Sequence, residues 1–402
     1  MTIPILIFNL IQWLLWSYLA LIGMYLLIFA VAGLFRCRNT IHKNSSLKKI
    51  AVLIPGYKED NVILEVAREA LAQEYPRNYY DVIIIADSFQ KSTLDVLKNM
   101  PLRLVEVSFD KSTKAKALTL AVSQIPNDYE VCVILDADNI MEKEFLKKIS
   151  DAFGEGVLVV QGHRIAKNMN TPFAILDAIS EEINNHVFRK GHRNLGLSAA
   201  IIGSGVGFDY NYFRSLIPDI TAVGGFDKEI ELKMLRDGHV IHYLHDAIVY
   251  DEKVQKPEVF SNQRRRWLSA QVHYFRKYFI HALGHLIRYG NIEYFNKAFQ
   301  FLQLPRVLLL AALVVLVPVF LLLNHLAGQP LLFNLWIVLS LVILVSIGIS
   351  VPLRLYNKNM FRAAMHLPKG MILMLLSLLR IKGANQKFIH TTHGSPSTNQ
   401  NQ

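Results

Sequence analysis

Apolar residues are spread very unevenly along the chain. Residues 11–35 (IQWLLWSYLALIGMYLLIFAVAGLF) carry no charge and are long enough to cross a bilayer as one helix. Two further runs, 307–323 and 331–350, are joined by the short NHLAGQP, which predicts a hairpin of two spanning helices. The run at 371–381 (MILMLLSLLRI) is only about eleven residues, too short to cross comfortably, and predicts an interfacial or re-entrant segment. The count is three spans, or four if that run also crosses. Residues 50–250 read differently. Strand-like runs (KIAVLIPGY, DVIIIAD, RLVEVSF, EVCVILDAD, GVLVVQG) alternate with amphipathic stretches (NVILEVAREALAQ, STLDVLKNM, STKAKALTLAVSQI, KEFLKKISDAF). Alternation at this spacing predicts right-handed crossovers and an α/β domain with a mostly parallel sheet, helices on both faces, flanked by transmembrane helices.

Charge orients these elements. The 402 residues include 43 Lys and Arg against 32 Asp and Glu, a net charge of +11. A soluble protein this basic would suggest nucleic acid. A mean hydropathy of +0.27 instead fits a membrane protein with basic cytoplasmic flanks, and no nucleic-acid partner is expected. RCRNTIHKNSSLKK follows the first span and RLYNKNMFR the third, whereas NHLAGQP holds neither Lys nor Arg. The positive-inside rule then places residues from about 36 onward in the cytoplasm and predicts a multi-pass protein of the cytoplasmic (inner) membrane. No basic stretch precedes the first span and no small-residue cleavage site follows it, so a retained anchor is expected. The division that results is an anchor at 1–35, a cytoplasmic domain at 45–255, interfacial amphipathic helices at 256–304, a transmembrane hairpin at 305–353, and an interfacial segment with a cytoplasmic tail at 354–402. Two cysteines, Cys37 and Cys132, make no disulfide framework, and 14 histidines without H-x-x-x-H or H-E-x-x-H spacing argue against zinc.

In sheets of this kind, ligands bind beyond the carboxyl ends of the strands. That rule gathers Pro55, Tyr57, Glu59 and Asp60 after the first strand, Asp87 at the end of the second, and Asp136 and Asp138 at the end of a later one. Neither G-x-G-x-x-G nor a P-loop is present, so a dinucleotide fold and an ATPase are unsupported. Paired carboxylates repel and are costly to desolvate unless a cation or donors compensate, and a hard divalent metal that also binds phosphate oxygens is the simplest compensation. From D-A-D alone, a helix cap or a solvated turn is the competing reading.

Context decides between them. IPGYKED, IIADS, KAKAL, LDAD, GGFDKEIEL and QRRRW follow one another in this order. Together they resemble the processive family 2 glycosyltransferases, the group of cellulose, chitin and hyaluronan synthases, over about residues 45–275 plus the flanking spans and the KGANQKFIHTTH tail. The resemblance implies a nucleotide-sugar-binding, GT-A-like domain. It implies that Pro55, Tyr57 and Glu59 cradle the nucleotide base, that Asp87 orients uracil or ribose, and that Lys114 meets the nucleotide. Asp136 and Asp138 match the D-x-D that holds the diphosphate through Mg2+ or Mn2+. In GGFDKEIELKMLRDG, counting back from Gly238 aligns Asp227 with the Asp of the family's T-E-D, the expected catalytic base, with Phe226 in place of Glu and Gly225 in place of Thr. As a plain helix start, Asp227 would only favour the macrodipole, with Glu229 and Glu231 on a solvated face. Gln263, Arg266 and Trp267 supply Q-x-x-R-W: Arg suits a diphosphate and Trp offers a flat face to a sugar ring. Arg264 and Arg265 are expected to face lipid. GSG (203–205) resembles the loop near the acceptor, or is a structural turn; QGHR (161–164) resembles a strand-end segment whose His163 and Arg164 are not expected to be ligands. His393 echoes a gating tail, with a disordered tail as the alternative.

The expected function is an inverting, metal-dependent transfer of a hexose or N-acetylhexosamine from a UDP-sugar to a growing β-linked carbohydrate acceptor at the membrane. Membrane lipid is an expected partner. Three spans are few to enclose a sugar channel, which leaves a place for a second copy or a partner subunit. The alternatives are a single transfer to a lipid acceptor such as polyprenyl phosphate or diacylglycerol, a non-catalytic scaffold, and a transporter. The acid set argues against the scaffold. The size of the cytoplasmic part, and spans without a buried charge pair or internal repeat, argue against the transporter.

Overall fold

The computed structural model describes residues 3–36, 46–222, 224–255 and 257–380; Cys37 and His393 lie outside them. The chain begins with α1 (Ile3–Leu34), β1 (Ile50–Tyr57), α2 (Ile63–Leu71), β2 (Tyr80–Asp87), α3 (Lys91–Lys98), β3 (Arg103–Val107) and α4 (Lys114–Gln124). It continues through β4 (Val131–Ile134), β5 (Ile140–Met141), α5 (Phe145–Ala152), β6 (Val159–Ala166) and α6 (Pro172–Asn184), which runs on through a π-helical turn, Asn185–Gly191, into α7 (His192–Asn194). Then come β7 (Val206–Asp209), α8 (Tyr210–Leu216), α9 (Phe226–Arg236), β8 (Ile241–Asp251), α10 (Pro257–Tyr289) and α11 (Ile292–Gln300). After them come α12 (Arg306–Leu326), α13 (Pro330–Ile349), α14 (Lys358–Ala364) and α15 (Leu367–Leu379).

One sheet of eight strands organises the middle, in the order β3-β2-β1-β4-β7-β6-β8-β5. The pairs β1–β2, β1–β4, β2–β3 and β6–β8 are parallel; β4–β7, β6–β7 and β5–β8 are antiparallel. The first strands are apolar throughout because both faces are covered. Leu53, Ile83, Ile85 and Ile134 pack into one core with Leu118 of α4 and Ile230 of α9. Val52, Ile54, Ile84 and Val133 pack into another with Ile63 of α2 and Ile149 of α5. The sequence pattern misses β5, β7 and β8. β5 and β7 have two and four residues, too few for a period of two to stand out.

Among the described residues three helices, α1, α12 and α13, are long and apolar enough to cross a membrane. The α14–α15 pair, bent by 45°, takes in residues 371–379 of the run expected to be interfacial. Leu19, Ile22 and Phe29 of α1 join Leu313 and Phe320 of α12, Trp336 and Ile343 of α13, and Val187 of the π-helical turn in one apolar cluster. The C-terminal end of α1 is thus docked on the α/β domain. Its closest approach is at Gly191, where a Cβ would stand 2.2 Å from the Phe29 carbonyl oxygen, so only glycine fits. The His192 ring stacks on Phe29 at 3.7 Å, and its Nε2 lies 2.9 Å from the Tyr25 hydroxyl.

Candidate active site

The carboxyl ends of β1, β2 and β4 lie side by side, and Tyr57 and Asp87 are register partners at the rim. Pro55 is tolerated in this central strand because pairing with β4 stops at Leu53–Ile134. The chain turns sharply after each of the first two strands. Lys58 (φ 56°) and Ser88 (φ 60°) adopt left-handed backbone conformations unusual for residues with a Cβ. The Asp87 carbonyl, accepting from the Lys58 amide at 3.0 Å, ties the two turns together. The buried Asp87 carboxylate accepts from the Ser88 hydroxyl at 2.9 Å.

Lys114 opens α4 just after its N-cap Thr113. Its ammonium bonds the Asp136 carboxylate, donates to the Gly203 carbonyl at 2.7 Å, and lies 4.9 Å from the centre of the Phe226 ring. The GSG loop therefore serves the site twice: the Gly203 carbonyl receives Lys114, and the Ser204 side-chain Oγ accepts from the Asp136 amide at 2.9 Å. One carboxylate oxygen each from Asp136, Asp138 and Asp251 lie within 4.8 Å of one another, a group that could hold a divalent metal. Arg164 Nη1 is 3.9 Å from Asp136, 3.5 Å from Asp251, and Nη2 is 2.8 Å from Glu181. Lys253 Nζ is 2.7 Å from Asp251. Burial opposes ionisation of Glu181, yet Arg164, Lys253 and Arg189 hold its carboxyl well below the usual carboxylate range. Burial likewise works against the Arg164 charge, and the Asp251 and Glu181 carboxylates more than offset it, raising its pKa.

Helices supply the opposite wall. Gly225, at φ +71°, lets the chain turn into α9, whose first turn carries Asp227. Glu229 and Glu231 are buried, not solvated. Glu229 Oε2 accepts from the Thr221 and Ala222 amides at 3.1 and 2.9 Å and so fixes the loop before Asp227. Glu231 accepts from the Ile201 amide at 3.2 Å and pairs with Lys297 of α11 at 2.7 Å. Burial pushes the Glu231 carboxyl up and the Lys297 ammonium down, toward a pair that shares its proton more evenly. On α10, Gln263, Arg266 and Trp267 fall on one face at spacings of three and four. Burial lowers the Arg266 pKa. Arg264 does not face lipid: it is buried, ion-paired with Asp177 of α6, and stacked on Trp267 at 4.2 Å and Phe260 at 4.8 Å. A guanidinium so flanked by a carboxylate and two rings is better placed inside than in a headgroup layer.

All these walls enclose one cavity of about 490 Å³. Pro55, Tyr57, Glu59, Asp87, Lys114, Asp136, Asp138, Asp227, Gln263, Arg266 and Trp267 all line it. So do Asp177, Glu181, Arg164, Asp251 and Lys253, which the sequence reading did not choose. Asp251 closes a strand just as Asp87 does, and the strand-end rule would have found it had β8 been recognised. Asp177 and Glu181 carry no such signal, since acids on an amphipathic helix read as solvated. His163 points elsewhere: its Nδ1 is 2.9 Å from His245 Nδ1 and its Nε2 3.2 Å from Glu182.

Residues 48–270 match the model of a family described as glycosyltransferase like family 2. Over 277 residues the chain is 24% identical to the probable glycosyltransferase YdaM of Bacillus subtilis (strain 168), covering 62% of this chain and 64% of that protein. Over 105 residues it is 22% identical to the poly(ribitol-phosphate) beta-N-acetylglucosaminyltransferase TarS of Staphylococcus aureus (strain Mu50 / ATCC 700699), covering 25% of this chain and 18% of that one. The matches thus span less than two thirds of each relative. Among solved structures, the mannosyltransferase PcManGT from Pyrobaculum calidifontis, in complex with GDP-Man and Mn2+, superposes with a TM-score of 0.53 at 18% identity, covering 90% of this chain and 99% of that one. That likeness shows the fold, which is GT-A-like.

Proposed function

This chain belongs to glycosyltransferase family 2, and from that footing we propose that it moves a hexose or N-acetylhexosamine from a UDP-sugar onto a growing β-linked glycan, with inversion, at the cytoplasmic face of the membrane. The observation that carries the proposal is the convergence of strand-end carboxylates, Lys114, Asp227 and the Q-x-x-R-W side chains on one cavity. The nucleoside rests against Pro55, Tyr57, Glu59 and Asp87. Lys114 and Arg266 bring cationic donors to the diphosphate, where charge-assisted hydrogen bonds are strongest. A divalent cation, Mg2+ or Mn2+, fits Asp136 and Asp138, and when bound it would neutralise charge building on the diphosphate. The acceptor sugar stacks on Trp267 and presents a hydroxyl to Asp227. That hydroxyl oxygen bonds to the anomeric carbon as the bond from that carbon to the phosphate oxygen breaks. The electron pair leaves with the diphosphate, and Asp227 takes the proton.

The reading places α1, α12 and α13 across the membrane and α14–α15 at its surface. A single transfer to a lipid acceptor is the second reading, favoured by the presence of only three long apolar helices among the described residues. Incubating the purified protein in lipid with a panel of UDP-sugars, then sizing the product, separates the two. A ladder of lengths supports chain growth, one added sugar on a lipid supports single transfer, and no sugar transferred with any donor counts against both.

A further inference from the structure

Attack with inversion brings the acceptor hydroxyl to the side of the anomeric carbon opposite the leaving phosphate. The transferred sugar must then lie between Asp227 and the group formed by Lys114 and Asp136. One wall of that gap is apolar: Ile201, Ala222, Phe226 and Ala270 belong to one packed cluster, and all four line the cavity. Phe226 joins the two ends of the gap. It precedes Asp227 in α9, and its ring centre is 4.9 Å from the Lys114 ammonium, which bonds Asp136. The GSG loop closes on the same place: a Cβ on Gly203 would stand 3.0 Å from the Phe226 ring and 3.2 Å from the Asp227 Cβ, so a side chain there would crowd both.

We propose that Phe226 selects a donor sugar with an acetamido group on the carbon next to the anomeric centre, an N-acetylhexosamine and not a plain hexose, an inference that rests on the glycosyltransferase reading above. That carbon is the one whose substituent comes within reach of a side chain adjoining the base. A hydroxyl turned to the Phe226 ring gives up water and gains no partner there. An acetamido group lays its methyl on the ring, and both leave water. Its carbonyl needs a donor, and Lys228 brings one, lining the same cavity with its ammonium 3.7 Å from Asp227 Oδ2. The methyl of a 6-deoxyhexose is separated from the anomeric carbon by the ring oxygen and a further carbon, and so falls away from this wall.

The test is kcat/KM of the full chain in lipid, with Mn2+, for UDP-N-acetylglucosamine, UDP-N-acetylgalactosamine, UDP-glucose and UDP-galactose, read as UDP release. An N-acetylated donor is expected to exceed the matching hexose by about ten- to a hundredfold, the discrimination that an apolar contact of this size supplies. Phe226→Leu should keep most of that ratio. Phe226→Ala should cut it about tenfold, with UDP affinity within about threefold of wild type. Phe226→Gln keeps the length and can accept from Lys114, and it reads the same loss should the alanine variant fail to fold. Equal or better use of UDP-glucose or UDP-galactose by the unaltered chain overturns the selection and leaves the glycosyltransferase reading intact. So does a preference that survives in folded Phe226→Ala and Phe226→Gln. No UDP release from any donor in the panel by the folded chain overturns both.

Discussion

Pro55, Tyr57, Asp87, Asp136 and Asp138 stand at or just beyond the ends of three adjacent parallel strands, whereas Asp227, Gln263, Arg266 and Trp267 stand on helices that reach the cavity from outside the sheet. The strand-end wall is positioned by backbone ladders, which fix each side chain to within a register step. The helical wall has no ladder. It is held by buried charges: Glu231 with Lys297, Arg264 with Asp177, and Glu229 on two loop amides. The difference suggests that substitutions in the first wall should damage ligand binding with little unfolding, and that the second wall should be vulnerable through its supports.

The largest effect is expected at Asp138. Asp138→Asn should lower transfer by about a thousandfold, equivalent to about 4 kcal/mol, while the melting temperature stays near that of wild type. A large drop in melting temperature would break the contrast between the walls. Next, Lys297→Met leaves Glu231 buried without its partner, and breaking such a pair costs about 3–5 kcal/mol. Denaturant unfolding should show that loss although Lys297 does not line the cavity; a stability within about 0.5 kcal/mol of wild type would remove the claim that buried pairs hold the helical wall. Smaller again, Trp267→Ala should raise the acceptor KM about tenfold, on the order of one aromatic contact, with nucleotide affinity unchanged. Weaker nucleotide binding would put Trp267 in the wrong wall.

The last effect is a pH dependence at the junction with α1. Burial holds the His192 pKa down to about 3 from 6.5. Because the folded-state value is depressed, its stabilisation is complete above about pH 6.5 and is lost as the pH falls toward about 3. Melting curves over that window should flatten in His192→Gln, and an unchanged slope would exclude this group as the source.

These contrasts also explain what could be read from the amino acids. Apolar runs broken at Pro55, Asp87 and Asp136 announce strand ends, and the strand-end wall is legible because the rule for ligand placement needs nothing more. Asp227 and Q-x-x-R-W were legible only through resemblance, since a helical acid or a basic helix alone reads as solvated or membrane-facing. Glu231, Arg264, Asp177 and Glu181 look like surface groups in the sequence but are buried because partners distant in sequence meet them. Lys297 meets Glu231, Lys253 meets Glu181, and Arg264 and Asp177 meet each other, and no local pattern encodes those meetings.

The measurement that bears most directly on the two-wall account pairs UDP affinity with transfer rate in Asp227→Asn. UDP should bind this variant within about threefold of wild type while the transfer rate falls by about 10²–10⁴, the usual worth of a general base. A transfer rate close to wild type, or a loss of UDP binding comparable to the loss of rate, would contradict it.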